Sequence, residues 1–186
     1  MFLTLNYWEN FAERKRKGKS GKNPCNWAGR LWKNCVFSEA GEKLGLPVVH
    51  LDSLYWKSGW EPSLQEDWDE IIKTIINEPA WIIDGNFNRT LGPRLEKADT
   101  VFFFDFPRRI NLYRAAKRRF IYRGKSRPDL NENCPEKLDL PFILGIWNFK
   151  KKKRGLLLEK IRESGDGKKI IIFKTPRMVE RYLENI

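Results

Sequence analysis

From Gly41 onward, short apolar runs alternate along the chain with segments whose apolar residues recur at helical spacing. Four apolar runs are bounded by turn-forming residues and have the length of buried strands: 46–52, 81–84, 100–105 and 169–174. Runs without polar alternation are typical of strands that are covered on both faces of a sheet. The pattern therefore predicts an α/β protein with a parallel sheet and helices on both sides.

The segments between and after these runs carry the start and stop signals of helices. Gly45 ends a helix before the first run, and the pair Ser63 and Glu66 forms a capping-box pattern ahead of apolar residues at helical spacing. Thr175 is predicted to cap, and Pro176 to begin, a terminal helix. The other predicted helices cover about 107–122, 141–149 and 156–161.

The first 40 residues break this pattern. Residues 14–22 are a basic run, and residues 24–35 follow neither the period of a helix nor that of a strand. Four strands are visible, whereas sheets of this kind usually have about five. The missing strand is therefore expected before Gly41. Residues 1–40 are predicted to be an aberrant, poorly ordered segment, and residues 41–186 to be the folded domain.

Two predicted strands end in carboxylates. Asp84 closes the run at 81–84, and Asp52 closes the run at 46–52. The carboxyl ends of parallel strands lie at one edge of the sheet, where α/β proteins bind ligands. Both aspartates are therefore candidate site residues. For each, a turn-forming role at the end of a strand is the alternative.

Charge is unevenly distributed along the chain. It has 36 Lys and Arg against 24 Asp and Glu, a formal net charge of +12. Residues 41–107 carry 6 basic and 12 acidic side chains, whereas residues 108–160 carry 16 basic and 5 acidic side chains. The basic half predicts an anionic partner, and the phosphates of a nucleotide or of nucleic acid both fit. For any single lysine, a solvated basic face is the simpler explanation.

The remaining composition narrows the class of protein. Cys25, Cys35 and Cys134 are an odd number without C-x-x-C spacing, so neither a disulfide framework nor a zinc site is expected. The single histidine, His50, lies in an apolar run and is expected to be structural. No apolar run reaches the roughly 18 residues of a membrane span, and no signal-peptide pattern is visible. A cytoplasmic protein without a membrane partner is expected.

Five groups of residues stand out together: 46–52, the pair Trp56 and Trp60, 81–86, 122–129 and 134–137. In combination they resemble the DNA topology modulation (FlaR-like) family, whose members are small P-loop NTPases related to adenylate and shikimate kinases. The resemblance covers residues 41–186, about four fifths of the chain. It implies a nucleoside-kinase-like three-layer fold with a parallel sheet and a basic helical lid at about 118–154.

The resemblance also implies ligands and the residues that hold them. It implies ATP and Mg²⁺, with a small molecule as the phosphate acceptor. Asp84 resembles the carboxylate that holds a magnesium-bound water. Asp52 is expected to contact the acceptor substrate, and Arg89 and Arg94 follow the Asp84 turn where related kinases keep arginines for the acceptor phosphate.

Further positions are implied at the lid and at the purine base. Arg119 and Arg123 lie four apart on one predicted helix face and, with Arg127, resemble lid arginines that close over a transferring phosphoryl group. Thr175 and Pro176 lie where related kinases pack the purine base against the backbone. Helix capping is the alternative explanation for that pair.

Aromatic residues near these positions have two interpretations. Trp56, Trp60 and Trp147 fit the lining of a substrate pocket or the packing of the core and lid. Packing is the preferred interpretation, because large aromatic residues contribute mainly to cores.

The family's phosphate-binding loop, G-x-x-x-x-G-K-[ST], is absent from the sequence as written, although it belongs just before residues 42–45. Because tryptophan has a single codon, sliding the reading frame by one base converts Trp27 and Trp32 to glycines five positions apart. The next two shifted codons encode Lys or Arg and then Thr or Ile. We therefore expect residues 22–40 to be an out-of-frame translation of a P-loop, bounded by two compensating single-base events; coincidence is the alternative.

Two classes of function follow. Without the loop and its strand, a phosphotransferase is expected to bind nucleotide weakly, and the strands that flank the missing one are expected to lose ladder partners. The other class is a basic nucleic-acid-binding regulator that uses residues 108–160, with DNA as a possible partner. The first class is favoured, because strand-tip carboxylates do not help to bind DNA and no reader motif is visible.

Overall fold

The computed structural model describes residues 2–6, 32–124, 130–135, 138–164 and 167–186. The basic run at 14–22, the first part of the expected out-of-frame loop and the predicted lid residue Arg127 lie outside these ranges.

Within the described ranges, the strands and helices follow the predicted alternation. The strands are β1 (Phe2–Asn6), β2 (Val48–His50), β3 (Trp56–Lys57), β4 (Glu61–Pro62), β5 (Trp81–Asp84), β6 (Thr100–Phe104) and β7 (Lys169–Phe173). The helices are α1 (Trp32–Leu44), α2 (Leu51–Tyr55), α3 (Gln65–Ile76), α4 (Leu91–Lys97), α5 (Arg108–Ile121), α6 (Leu140–Lys152), α7 (Arg154–Glu163) and α8 (Pro176–Glu184). A 3-10 turn, Ser58–Trp60, joins β3 to β4.

The main sheet has five strands in the order β2-β5-β1-β6-β7, and β3 and β4 form a separate antiparallel hairpin. The pairs β2 with β5 and β6 with β7 are parallel, whereas β1 runs antiparallel to both of its neighbours. The α/β class is confirmed, and the four strands visible in the sequence, β2, β5, β6 and β7, all point in the same direction, as predicted. The fifth strand, β1, departs from the predicted parallel sheet because it is antiparallel to them. The four parallel strands have the continuous apolar runs that are typical of parallel sheets, whereas β1, with the sequence FLTLN, does not.

The missing fifth strand does lie before Gly41, as the sequence predicts. It is β1, and it occupies the middle of the sheet. Thr4 is paired with Ile83 on one side and with Val101 on the other. The expectation that the strands beside this position lose their ladder partners is therefore wrong, because residues 2–6 supply them.

Helices cover both faces of the sheet and enclose two buried clusters. Trp81 and Ile83 pack into one cluster with α3, α4 and α7, and Ile82 packs into the other with α1 and α8. This alternation places successive residues of β5 on opposite faces, as the pleat requires. Among the described helices, none is long and apolar enough to cross a bilayer.

Helix α1 begins at the carboxyl edge of the sheet. The ring of Phe37, in its first half, lies 6.2 Å from the ring of His50 and 6.0 Å from that of Phe104, both at the carboxyl ends of strands. Farther along, Gly41 approaches Val48 so closely that a built Cβ would be 2.5 Å from its Cγ2. The helix therefore runs from the carboxyl edge of the sheet back toward the start of β2.

Several predicted strand and helix ends are shifted. The strand β2 stops at His50, and Asp52 lies in the first turn of α2 rather than at a strand tip. The hydroxyl of Ser63 donates to carbonyls at the end of α2, so Ser63 does not cap α3. Thr175 occupies the N-cap position of α8, but its side chain makes no capping hydrogen bond. Pro176 begins that helix, as predicted.

Candidate functional site

A cavity of about 1240 Å³ opens at the carboxyl edge of the sheet. Gly85 and Asn86, which follow β5, and Asp105, which follows β6, line its floor. The helices α5, α6 and α7 line one wall, and residues near the β3–β4 hairpin line another. The cavity thus lies where the topology of α/β sheets places ligand sites.

Positive charge dominates the helical wall. The cationic side chains that line it come from three helices and the junction between two of them: Arg108, Arg114, Arg118, Lys150, Lys152, Lys153 and Lys160. Three aspartates, Asp52, Asp105 and Asp139, also line the cavity, so among the described residues cations outnumber carboxylates there by seven to three. An excess of one sign of charge in a concave surface concentrates ions of the opposite sign. The wall therefore favours a ligand that carries several negative charges.

Aromatic rings orient the arginines of this wall. The guanidinium carbon lies 4.4 Å from the ring centroid of Trp147 for Arg108, 5.4 Å from that of Phe106 for Arg114, and 6.0 Å from that of Phe142 for Arg118. Contacts of a guanidinium with an aromatic face are attractive and restrict the long side chain. The cations are therefore held in place before any ligand arrives.

Two of these arginines repel each other. Arg114 and Arg118 lie one helical turn apart on α5, on the same face of the helix. Burial, and to a smaller extent the positive charge of Arg118, lowers the pKa of Arg114 to about 10. Arg114 therefore stays protonated near neutral pH, at a cost in free energy that an anion bound beside it would offset.

Asp105 ties the helical wall to the sheet. Its carboxylate is largely buried, and its backbone N–H donates to the carbonyl of Phe173 in β7. Its Oδ2 accepts from Nε of Arg154 at 2.9 Å, and its Oδ1 lies 3.4 Å from Nζ of Lys150. The hydrogen bond to Asp105 raises the pKa of Arg154. Lys150 lines the cavity as well, so a bound anion would compete with Asp105 for it.

Asp84 lies beneath the cavity floor. Its side chain is fully buried, and its Oδ2 lies 3.1 Å from Nδ1 of His50 at the tip of the neighbouring strand. The adjacent Gly85 and Asn86 line the cavity, whereas Asp84 does not. Neither His50 nor Asp84 lines the cavity.

The two arginines predicted for the acceptor phosphate have other contacts. Arg94 is fully buried and donates to the carbonyls of Gly85, Phe87 and Thr90 at 2.7–3.1 Å. Burial lowers its pKa to about 10. The exposed Arg89 donates to the side chains of Asp69 and Gln65 on α3. Neither arginine lines the cavity.

The other predicted site residues divide into two groups. Asp52 is half-buried and lines the cavity, as its predicted role requires. Arg119, Arg123, Thr175 and Pro176 do not line it.

The arginines of α5 that line the cavity are Arg108, Arg114 and Arg118, and the pair Arg114 and Arg118 lies five positions before the predicted pair Arg119 and Arg123. Ile110 supplies the signal that would have found them, because it packs into the core and the helix face that it marks recurs at i+4 and i+8.

Comparisons with known proteins identified no relative of this chain. No family model, no curated protein and no solved structure gave a significant match to this chain. Chemical assignments for this chain therefore rest on its own residues.

The residues of the cavity fit the phosphates of a nucleotide better than they fit Mg²⁺. The cationic wall suits the phosphates of a nucleotide, but the written sequence lacks the glycine-rich loop whose backbone N–H groups would surround them. The described ranges contain no group of three or more His, Cys, Asp and Glu side chains able to hold a metal ion. Asp84, the residue expected to hold a magnesium-bound water, is fully buried against His50.

Gly85 cannot carry a side chain without strain. Its φ is +153°, and a Cβ at this position would lie 2.7 Å from Cβ of Leu51, which is itself fully buried. We expect Gly85→Ala to destabilise the protein by about 2 kcal/mol, which thermal melting followed by circular dichroism measures. Gly92→Ala is the matched control, since a Cβ there meets nothing within 4 Å. Equal melting temperatures for the two variants would contradict the close contact between Gly85 and Leu51.

Proposed function

We propose that this chain is a nucleotide-binding, kinase-like protein of the P-loop NTPase type, in which the missing Walker A loop impairs phosphoryl transfer. The observation that carries the proposal is the cationic cavity at the carboxyl edge of the sheet. An edge of this kind is the usual ligand site of open α/β sheets, and its positive lining suits phosphate groups.

The strand order supports the same proposal. In β2-β5-β1-β6-β7, the strand that lies first in the chain is in the middle, and the strands that follow it along the chain lie on both sides. Helix α1 begins at the carboxyl edge, which is the position of a helix whose N-terminus receives a phosphate. The antiparallel direction of β1 departs from the parallel strand that leads into a P-loop.

The residues of the cavity suggest what activity remains. Arginines and lysines bind and orient phosphates by charge-assisted hydrogen bonds, and they neutralise charge that develops during phosphoryl transfer. A Walker A loop would add backbone N–H groups, a lysine and a magnesium-binding hydroxyl. Without these groups, nucleotide binding is expected to be weak and phosphoryl transfer to be slow or absent. Phosphate binding is then the activity that the residues of this chain support.

A titration with pyrophosphate tests this proposal. Because it presents clustered phosphate charge without any nucleoside, pyrophosphate reports on the cationic wall alone. We expect Arg118→Gln to weaken pyrophosphate binding about tenfold in isothermal titration calorimetry, since it removes a charged hydrogen-bond donor. Arg177→Gln is the matched control, because Arg177 is exposed on α8 and lies outside the cavity. Absence of binding, or equal weakening by both variants, would contradict the proposal.

A second candidate is nucleic-acid binding through the outer face of α5. Tyr113 and Phe120 are 66% and 81% exposed on this basic helix, and Arg109 and Arg123 are exposed near them. Exposed aromatic rings among cations are typical of surfaces that bind single-stranded nucleic acid. Salt distinguishes the candidates, because contacts with a nucleic-acid backbone weaken steeply as salt rises.

A further inference from the structure

A second wall of the cavity is built from two segments far apart in the sequence. The β3–β4 hairpin, residues 56–62, supplies Trp56 and Trp60, and residues 130–135 supply Leu130. We call Trp56 and Trp60 the tryptophan wall. Their rings lie 5.5 Å apart at 69°, an edge-to-face arrangement that fixes both orientations.

Hydrogen bonds hold the two segments together. Asn131 Nδ2 donates to the carbonyls of Ser53 and Trp56 at 2.9 and 2.7 Å, and Trp60 Nε1 donates to the carbonyl of Pro135 at 3.1 Å. Asn133 Nδ2 also donates, to Oγ of Ser58. The backbone and side-chain contacts therefore make the tryptophan wall a fixed surface rather than two exposed rings.

Backbone strain is concentrated at this wall. Among the residues that the structure describes, two residues other than glycine have left-handed φ angles, Trp60 at 67° and Asn133 at 59°. Both lie in the segments that form the wall. A left-handed backbone is rare for a bulky residue such as tryptophan, and strain of this kind is concentrated at sites where function requires a particular orientation.

The cavity therefore has two chemically different walls. The helical wall is cationic, whereas the tryptophan wall is aromatic and lies beside Asp52 and Asn86, which supply oxygen acceptors. The cavity volume of about 1240 Å³ exceeds the roughly 300–1,000 Å³ that is usual for one small-molecule site. It has room for a ligand that touches both walls at once.

We propose that the tryptophan wall binds the planar aromatic ring of a phosphate ester whose phosphate lies on Arg114 and Arg118. This inference rests on the proposed function and adds the place where the base of the nucleotide binds, on Trp56 and Trp60, and with it a preference for ring-bearing esters over sugar phosphates and inorganic phosphate. Stacking on an indole supplies ring affinity that tolerates different ring types. Asp52 accepts a hydrogen bond from a ring N–H or amino group.

Two probes that differ only by the ring test the inference. Adenosine 5′-monophosphate and ribose 5-phosphate carry the same phosphate and sugar, so their affinity difference for the full chain measures the contribution of the ring. We expect the nucleotide to bind about tenfold more tightly, as one stacked base provides. Equal affinities would overturn the inference while leaving phosphate binding intact, whereas binding of neither probe would overturn the proposed function itself.

Variants of Trp60 localise the effect. Trp60→Gly removes the ring and relieves the left-handed strain, so we expect it to fold and to lose the roughly tenfold preference for the nucleotide. Thermal melting followed by circular dichroism is the control for folding, because the variant also loses the hydrogen bond from Trp60 Nε1 to the carbonyl of Pro135. Trp60→Phe keeps a ring and is expected to keep most of the preference. A full preference in Trp60→Gly, or its loss in Trp60→Phe, would overturn the role of the wall.

Discussion

Deleting residues 1–6 is expected to abolish cooperative unfolding of the protein. These residues contain β1, which is paired with β5 on one side and with β6 on the other. The two parallel halves of the sheet, β2 with β5 and β6 with β7, are joined only through β1 in the described structure. Without it, the inner edges of two buried strands lose their ladder partners.

The size of the effect follows from the number of groups involved. Each buried N–H or C=O group left without a partner costs about 1–3 kcal/mol, and total stabilities are typically about 5–15 kcal/mol. Ile82, Ile83, Val101 and Phe103, beside β1, are buried, so water cannot easily replace the lost partners. Leaving several of these groups without partners therefore costs more free energy than the whole stability of a typical domain.

Two substitutions at Thr4 distinguish the effect of losing strand pairing from the effect of shortening the chain. Thr4→Pro removes a backbone N–H from the middle of β1, whereas Thr4→Val keeps it and has high strand propensity. We expect the proline variant to lose its thermal transition in circular dichroism and the valine variant to keep it. If the deletion variant melts cooperatively within a few degrees of the full chain, the middle strand is not supplied by residues 2–6.

Replacing Arg94 with leucine is expected to destabilise the protein by about 3–5 kcal/mol. The guanidinium is fully buried and donates to three carbonyls of residues 85–90. These carbonyls follow β5 and shape the floor of the cavity. Leucine fills some of the volume but leaves the carbonyls without donors and removes a positive charge that attracts Asp84. Urea denaturation monitored by tryptophan fluorescence measures the loss.

Arg89 provides the matched control for Arg94. Both follow Asp84 and carry the same charge, but Arg89 is exposed and pairs with Asp69 on α3. Exposed ion pairs contribute little to stability, so Arg89→Leu is expected to leave the unfolding midpoint almost unchanged. Similar midpoints for Arg94→Leu and Arg89→Leu would show that the buried contacts of Arg94 do not hold the loop.

The sequence predicts the helices and the strands beside the middle of the sheet better than it predicts the middle strand, β1. Continuous apolar runs at 81–84 and 100–105 are β5 and β6, and the helices at 107–122 and 176 onward are α5 and α8. These elements carry strong local signals of burial and of helix starts. The direction and origin of the middle strand carry no such signal, because pairing across the sheet is decided by contacts distant in the sequence.

The candidate site was predictable to a smaller extent. Its place at the strand tips and its positive charge follow from the sequence, and Asp52 does line the cavity. The particular arginines were missed, since α5 carries basic residues on several faces and the apolar Ile110 is the one cue in the sequence that marks the face of Arg114 and Arg118. The role of Arg94 could not be predicted either. A buried arginine that donates to backbone carbonyls and an arginine that binds phosphate look the same in the sequence.

The tryptophan wall illustrates why packing alone is a poor explanation for aromatic residues. Trp68 and Trp81 are 1% exposed and belong to the core. Trp56 and Trp60 are partly exposed and line the cavity instead. The deciding contacts come from residues 130–135, about 75 positions away in the chain, so no local pattern indicates them.

The written sequence near residues 22–40 bears on how much activity the cavity can support. Resequencing the coding DNA across these codons distinguishes an error of record from a real lesion. An in-frame G-x-x-x-x-G-K-T would add the backbone N–H groups and lysine that the described cavity does not supply. The cationic wall and the tryptophan wall lie downstream of this stretch and are the same in either case.

The most direct test of the central claim is a titration of ATP into the full chain at two salt concentrations, with a DNA oligonucleotide as the comparison. The account predicts weak, saturable ATP binding that pyrophosphate displaces and that changes little from about 50 to about 200 mM salt, compared with DNA contacts, which weaken by orders of magnitude. DNA binding without any ATP binding would contradict the account and assign the basic half of the chain to nucleic acid.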